Sequence, residues 1–181
     1  MIDEIMEYNR KFVENKGYEP YLTSKYPDKK LAILTCMDTR LLELLPAALG
    51  IKNGDAKIIK NAGGVIVHPY GSVVRSLLVG ILELGVEEVM VIGHTACGVQ
   101  GMDGNEMLEK LVERGIDQQH IDIVRHSGID LERWLGGFES VESSVHETVR
   151  RLKEHPLMPK NVRISGFIMD SATGELTRVE E

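Results

Sequence analysis

Apolar residues at Ile2, Ile5, Met6, Phe12 and Val13 recur at helical spacing, and Gly17 offers a stop, which predicts a helix over residues 2–16. Residues 18–30, ending in YPDKK, read as a loop. The rhythm then changes. LAILTC, 31–36, is an unbroken apolar run of strand length, suited to a strand buried on both faces. RLLELLPAALG, 40–50, is helical in composition, with Pro46 expected to kink or restart it. Further strands are predicted at KIIKNA (57–62), EEVMVIGH (87–94) and VRISGFIMD (162–170). Between them, GSVVRSLLVGILELG (71–85) carries Val74, Leu77, Leu78, Ile81 and Leu82 on one stripe and ends on Gly85. Residues 103–114 form an amphipathic helix around Met107, Leu108, Leu111 and Val112, and 117–134 look helical and irregular. Val141, Val145, Val149 and Leu152 make a last helix that Pro156 closes, and SATGELTRV reads as a turn and a short return strand.

Strands alternating with helices predict an α/β fold, a central, mainly parallel β-sheet flanked by α-helices. With no internal repeat, low-complexity tract or linker, residues 1–181 are expected to form one domain. The helices at 2–16 and 139–155 are expected in the outer layers, the first packing on the outside or on a partner subunit.

Composition narrows the partners. At 43% apolar and 27% charged, the chain can bury a core and resembles an ordinary soluble protein. A formal charge of -7, without any Lys/Arg-rich run, argues against nucleic acid and anionic membranes as partners. MIDEIMEYNR lacks the basic and apolar regions of a secretory signal, and no stretch approaches the roughly 20 apolar residues of a membrane span. A cytoplasmic location is the expectation. In a reducing compartment the two cysteines, Cys36 and Cys97, suit metal binding or redox chemistry better than a staple.

The chemistry sits where strands end. Ligands of open parallel sheets bind outside the carboxyl ends of the strands. Cys36 closes the first strand, His94 the third, and Cys97 follows three residues later in GHTACG. Two thiolates and an imidazole suit tetrahedral Zn2+, with a fourth position left for water or for a closing side chain. A plain core or a redox pair would also use both cysteines, but they do not form a C-x-x-C motif. Asp38 and Arg40 follow Cys36 at alternate positions, and an extended backbone would turn all three to one pocket. Two thiolates already neutralise Zn2+. A bidentate bond from Arg40 could hold the Asp38 carboxylate off the metal, where it would accept a proton and orient the fourth ligand.

CMDTR, then NAGG, then GHTACG resemble a β-class carbonic anhydrase of the short bacterial and archaeal branch. The likeness extends to ALGIKNGDAKIIKNAGG and to the closing GFIMDSATGEL. It implies one Zn2+ per chain held by Cys36, His94 and Cys97, with Asp38 and Arg40 as a catalytic gating dyad. Asp38 would be a candidate fourth ligand in a closed state. Gly63 and Gly64 would line the substrate pocket through their backbone. The implied reaction is reversible hydration of carbon dioxide to bicarbonate and a proton by zinc-bound hydroxide, in a homodimer or a dimer of dimers. Alternatives are hydrolysis of carbonyl sulfide or carbon disulfide on the same zinc scaffold, or a closed structural zinc site.

Two features depart from the family pattern. Ala96 stands where many relatives carry Asp, and VIVHPYGSVVR, 65–75, replaces a shorter acidic loop. In that loop His68 is the candidate proton shuttle, since an unperturbed imidazole titrates near pH ~6.5. Tyr70 could line the pocket by packing. Arg75 reads as a solvated helix residue, and His120, His126, His146 and His155 read as surface or packing residues.

Overall fold

The computed structural model describes residues 1–179. Strand β1 (Leu31–Cys36) is an interior strand of the parallel sheet, and its largely apolar residues are buried on both faces. It is flanked in parallel by β2 (Ala56–Asn61) and β3 (Glu88–His94). Strand β4 (Arg163–Met169) extends the parallel sheet beyond β3, and β5 (Leu176–Arg178) returns antiparallel at its edge. The order is β2-β1-β3-β4-β5. The chain therefore leaves β1 in one direction towards β2 and then crosses back to β3. That reversal creates a topological switch point at the carboxyl ends of β1 and β3.

The helices are α1 (Ile2–Glu14), α2 (Leu41–Ala48), α3 (Ser72–Leu84), α4 (Gly104–Glu113), α5 (Gln118–His126), α6 (Leu131–Leu135) and α7 (Val141–Glu154). One sheet face, with Ala32, Leu34, Val89, Val91 and Ile164, is covered by Val74 and Leu77 of α3 and by Val145, Val149 and Leu152 of α7. The other face, with Ile33, Ile92 and Met169, is covered by Leu41 and Leu45 of α2. Side chains of adjacent strand residues thus enter opposite cores, which is the alternation a twice-buried strand requires. Gly93 and Gly166 let α7 approach closely, since an added Cβ at either would lie 2.7 Å from a valine methyl of that helix.

The expected fold is the observed one, with strand and helix ends moved by a residue or two. Pro46 neither restarts nor ends α2, which runs through it. The proline removes a single amide donor, the one that would meet Leu42, an exposed residue, and the bonds from Leu49 and Ile51 back to Leu45 and Pro46 carry the turn onward. Helix α1 buries none of its residues, and Ile2, Ile5 and Met6 are 72%, 61% and 58% exposed. Among the described residues no helix is long and apolar enough to cross a membrane.

Candidate metal centre

The register of β1 against β3 sets Thr35 beside Ile92, so Cys36 and His94 leave the sheet at the same edge. The turn after β3 then brings Cys97 back to them. It does so through Ala96, whose φ of +51° lies in the left-handed region. The ligating atoms of Cys36, His94 and Cys97 all fall within 4.8 Å of one another, and all three residues are buried. The two sulfurs are 3.8 Å apart, far beyond a disulfide bond, and both thiols are free. Burial, reinforced by the neighbouring Cys36, pushes the Cys97 thiol up.

Three observations fit this group to a metal ion. A tetrahedral ion with Zn–S bonds of about 2.3 Å separates two sulfurs by about 3.8 Å, the spacing seen here. His94 is 0% exposed, and its Nδ1 lies 2.9 Å from the carbonyl of Thr95, which fixes Nδ1 as the protonated nitrogen. Its Nε2, left with a lone pair, is a buried polar atom without a hydrogen-bond partner. Such an orphan costs free energy unless something binds it, and a lone pair beside two sulfurs is a metal donor.

Asp38 and Arg40 stand at the mouth of the group. Arg40 donates from Nε to Asp38 Oδ1 at 3.0 Å and from Nη2 to Oδ2 at 2.8 Å, a bidentate pair. These side-chain bonds, with the Arg40 amide at 2.9 Å from Oδ1, hold the Asp38 carboxyl far below the usual carboxylate range. Asp38 Oδ2 is 3.8 Å from His94 Nε2, beside the free lone pair. The three polar groups converge, but the alternation expected of an extended backbone is not the cause. The strand ends at Cys36, and Arg40 already has helical φ and ψ as the residue that opens α2. A turn closed by the Asp38 carboxylate on the Arg40 amide aims the pair instead.

Gly63 and Gly64 form the turn after β2 with φ of +81° and +65°. Asn61 closes that turn, taking the Val65 amide on Oδ1 and donating Nδ2 to the Val65 carbonyl. An added Cβ on Gly64 would sit 2.9 Å from the backbone nitrogen of Cys36, and one on Gly63 would sit 3.0 Å from the Phe138 ring. The glycine turn is thus packed on the backbone that carries the first cysteine. His68 is exposed, and its Nδ1 accepts the Tyr70 amide at 3.1 Å within its own loop. Tyr70 packs its ring edge-on against His155, with centroids 5.4 Å apart. His155 is only 4% exposed; its Nε2 donates to the Pro69 carbonyl and its Nδ1 accepts the Leu157 amide. Arg75, His120, His126 and His146 are exposed.

The carbonic anhydrase family profile matches residues 31–176. This chain belongs to the β-carbonic anhydrase family. It is 52% identical over 175 residues to the Bacillus subtilis (strain 168) protein named "Putative carbonic anhydrase YvdA", covering 97% of this chain and 89% of that one. The crystal structure of β-carbonic anhydrase isoform I (TvaCA1) from Trichomonas vaginalis superposes with a TM-score of 0.88 at 35% identity, over 99% of this chain and 97% of that one. A carbon disulfide hydrolase of Saccharolobus solfataricus is 32% identical over 163 residues, 83% of this chain and 78% of its own. The β-carbonic anhydrase scaffold therefore includes relatives named for two different substrates.

Sequence reasoning missed three parts of the centre. The Ala96 carbonyl accepts Arg40 Nη2 at 2.8 Å, Ser171 accepts Arg40 Nη1 at 3.2 Å, and Thr95 supplies the carbonyl beside His94. Ser171 lies within GFIMDSATGEL, a visible segment, but only the pairing of β3 with β4 places it beside Thr95.

Proposed function

We propose that this chain is a zinc-dependent carbonic anhydrase that interconverts carbon dioxide and bicarbonate. The observation that carries the reading is the buried, partnerless Nε2 of His94, converging with two free thiols beside a carboxylate held by arginine. Cys36, His94 and Cys97 would hold the ion. Zn2+ in such a site acts as a Lewis acid and makes water nucleophilic near neutral pH.

The chain's own groups do the rest. Asp38, ionised and pinned by two bonds from Arg40, can only accept hydrogen bonds, so it orients the attacking water and sets which lone pair faces the substrate. The same bonds hold the carboxylate back, so that an ion held by Cys36, His94 and Cys97 would stay open to water. The Gly63–Gly64 turn, whose missing Cβ atoms let it pack on the Phe138 ring and the Cys36 backbone, would present its own backbone to a small linear substrate. His68, exposed on the following loop, is our candidate to carry the released proton to buffer. We propose a cytoplasmic location for it. We propose a homodimer, in which the exposed apolar stripe of α1 packs on a second chain.

A second reading, hydrolysis of carbon disulfide, is favoured by the relative from S. solfataricus. The two separate in one experiment on protein of measured zinc content. Hydration of CO2 with no release of sulfide from carbon disulfide supports the first reading. Sulfide release without CO2 hydration overturns it in favour of the second.

A further inference from the structure

The turn between β4 and β5 belongs to no part of the site as read from the sequence, yet it reaches both halves of it. The β3–β4 ladder continues one step past the strands through the Thr95 amide to the Met169 carbonyl, at 3.0 Å. This sets Ser171 against Thr95. The Ser171 amide donates to Thr95 Oγ1 at 3.0 Å, its hydroxyl donates to the Thr95 carbonyl at 3.0 Å, and the two hydroxyls are 3.2 Å apart. The hydroxyl oxygen also accepts Arg40 Nη1 at 3.2 Å. The turn is itself fixed, because Asp170 Oδ1 takes the amides of Ala172 and Thr173 and the Thr173 hydroxyl, and the Asp170 amide bonds Glu175.

One hydroxyl is therefore shared between two devices. The carbonyl it meets, that of Thr95, is the one that takes the His94 Nδ1 proton and so leaves Nε2 bare. The guanidinium it meets, that of Arg40, is the one that holds Asp38. We infer that Ser171 is a positioning residue that ties the orientation of the His94 imidazole to that of the Arg40–Asp38 pair. The inference rests on the metal-centre reading above. The hydroxyl's proton goes to Thr95, and its lone pairs receive Arg40 and the Thr95 hydroxyl, so its three hydrogen bonds are mutually consistent.

Partners one step removed from a metal's ligands typically govern about 10–100-fold in affinity or activity. Ser171 acts through a carbonyl it shares, so the low end applies. The test uses the full chain loaded with Zn2+, in wild-type, Ser171→Ala and Ser171→Thr forms. Zinc affinity is read by competition with a chromophoric chelator, and CO2 hydration is read as kcat and KM separately. Ser171→Ala should weaken zinc binding about 10-fold and lower kcat about 10-fold at unchanged KM. Ser171→Thr, which keeps the hydroxyl, should restore both to within about twofold of wild type. In an Arg40→Ala background, Ser171→Ala should still weaken zinc binding but lower kcat little further, because its route to Asp38 is already gone.

Wild-type zinc affinity and kcat in Ser171→Ala would overturn the inference, as would a threonine variant no better than alanine. A wild-type protein that binds zinc without hydrating CO2 would instead overturn the proposed reaction. The affinity series would then decide the role of Ser171 by itself.

Discussion

Replacing Gly64 with alanine should disturb both the fold and the metal centre, and its size can be worked from two separate terms. The first is backbone strain: at φ +65° an L-residue pays roughly 1–2 kcal/mol that glycine does not. The second is contact. The new Cβ would lie 2.9 Å from the Cys36 nitrogen and from the Thr35 carbonyl carbon, both backbone atoms of the interior strand β1. Overpacking against atoms that cannot rotate away costs about 1–3 kcal/mol. Together these give about 2–5 kcal/mol, an upper sum because one adjustment can relieve both. With a urea slope of about 2–3 kcal/mol/M, the unfolding midpoint should fall by about 0.7–2.5 M. Gly50 is the control: its φ is +63° with nothing within 4 Å of an added Cβ, so Gly50→Ala should show the strain term alone. The measurement is urea unfolding of both variants at one protein concentration, with zinc retention after dialysis alongside. Gly64→Ala should lose more stability than Gly50→Ala and also lose zinc, since the displaced atom belongs to Cys36. Equal midpoints and equal zinc retention in the two variants would refute the reasoning.

Other consequences follow from the same contacts. In Arg40→Ala the Asp38 carboxyl should rise towards its ordinary value of about 3.9, so it protonates at higher pH. A carboxylate held low contributes stability that is full at neutral pH and lost as pH falls through its depressed value. The stability gap between wild type and Arg40→Ala should therefore be full at neutral pH and shrink as pH falls below about 4, and a gap that stays constant across the acid range in pH-dependent unfolding would count against the pairing. His155→Ala should cost about 1–3 kcal/mol in denaturant unfolding, because it strands the Pro69 carbonyl and the Leu157 amide; a loss near zero would contradict this. Leu77→Ala, fully buried between α3 and the sheet, should cost about 2–5 kcal/mol. Ile5→Lys with Met6→Lys, on the bare stripe of α1, should leave the circular dichroism unchanged and weaken self-association at least about tenfold in sedimentation. An unchanged association constant would remove α1 from the proposed interface.

Much of this architecture is legible in the chain because each layer has its own period. The run at 31–36 and the stripe at Val74, Leu77, Leu78 and Ile81 separate strand from helix without tertiary information. The sheet edge that carries the ligands could be placed as well, since Cys36 and His94 both follow apolar runs. What the pattern could not give was the aim of side chains past the strand end. Asp38 and Arg40 were expected to align through an extended backbone, whereas a turn closed by Asp38 itself brings them together. The contacts of Ser171 and of the Ala96 carbonyl with Arg40 span 131 and 56 residues of sequence, and no local spacing encodes them. The restart expected at Pro46 is absent for a different reason. A proline in a helix sacrifices one bond, and at the level of exposed Leu42 that loss is not enough to stop α2.

The central claim is that a zinc ion on Cys36, His94 and Cys97 hydrates carbon dioxide. Stopped-flow CO2 hydration from about pH 6.5 to 9 tests it most directly, on wild-type and Cys36→Ser protein with zinc measured in each. The account predicts one zinc per wild-type chain, hydration that rises with pH, and loss of both in Cys36→Ser. Full zinc occupancy with no hydration at any pH, or undiminished hydration in Cys36→Ser, would contradict it.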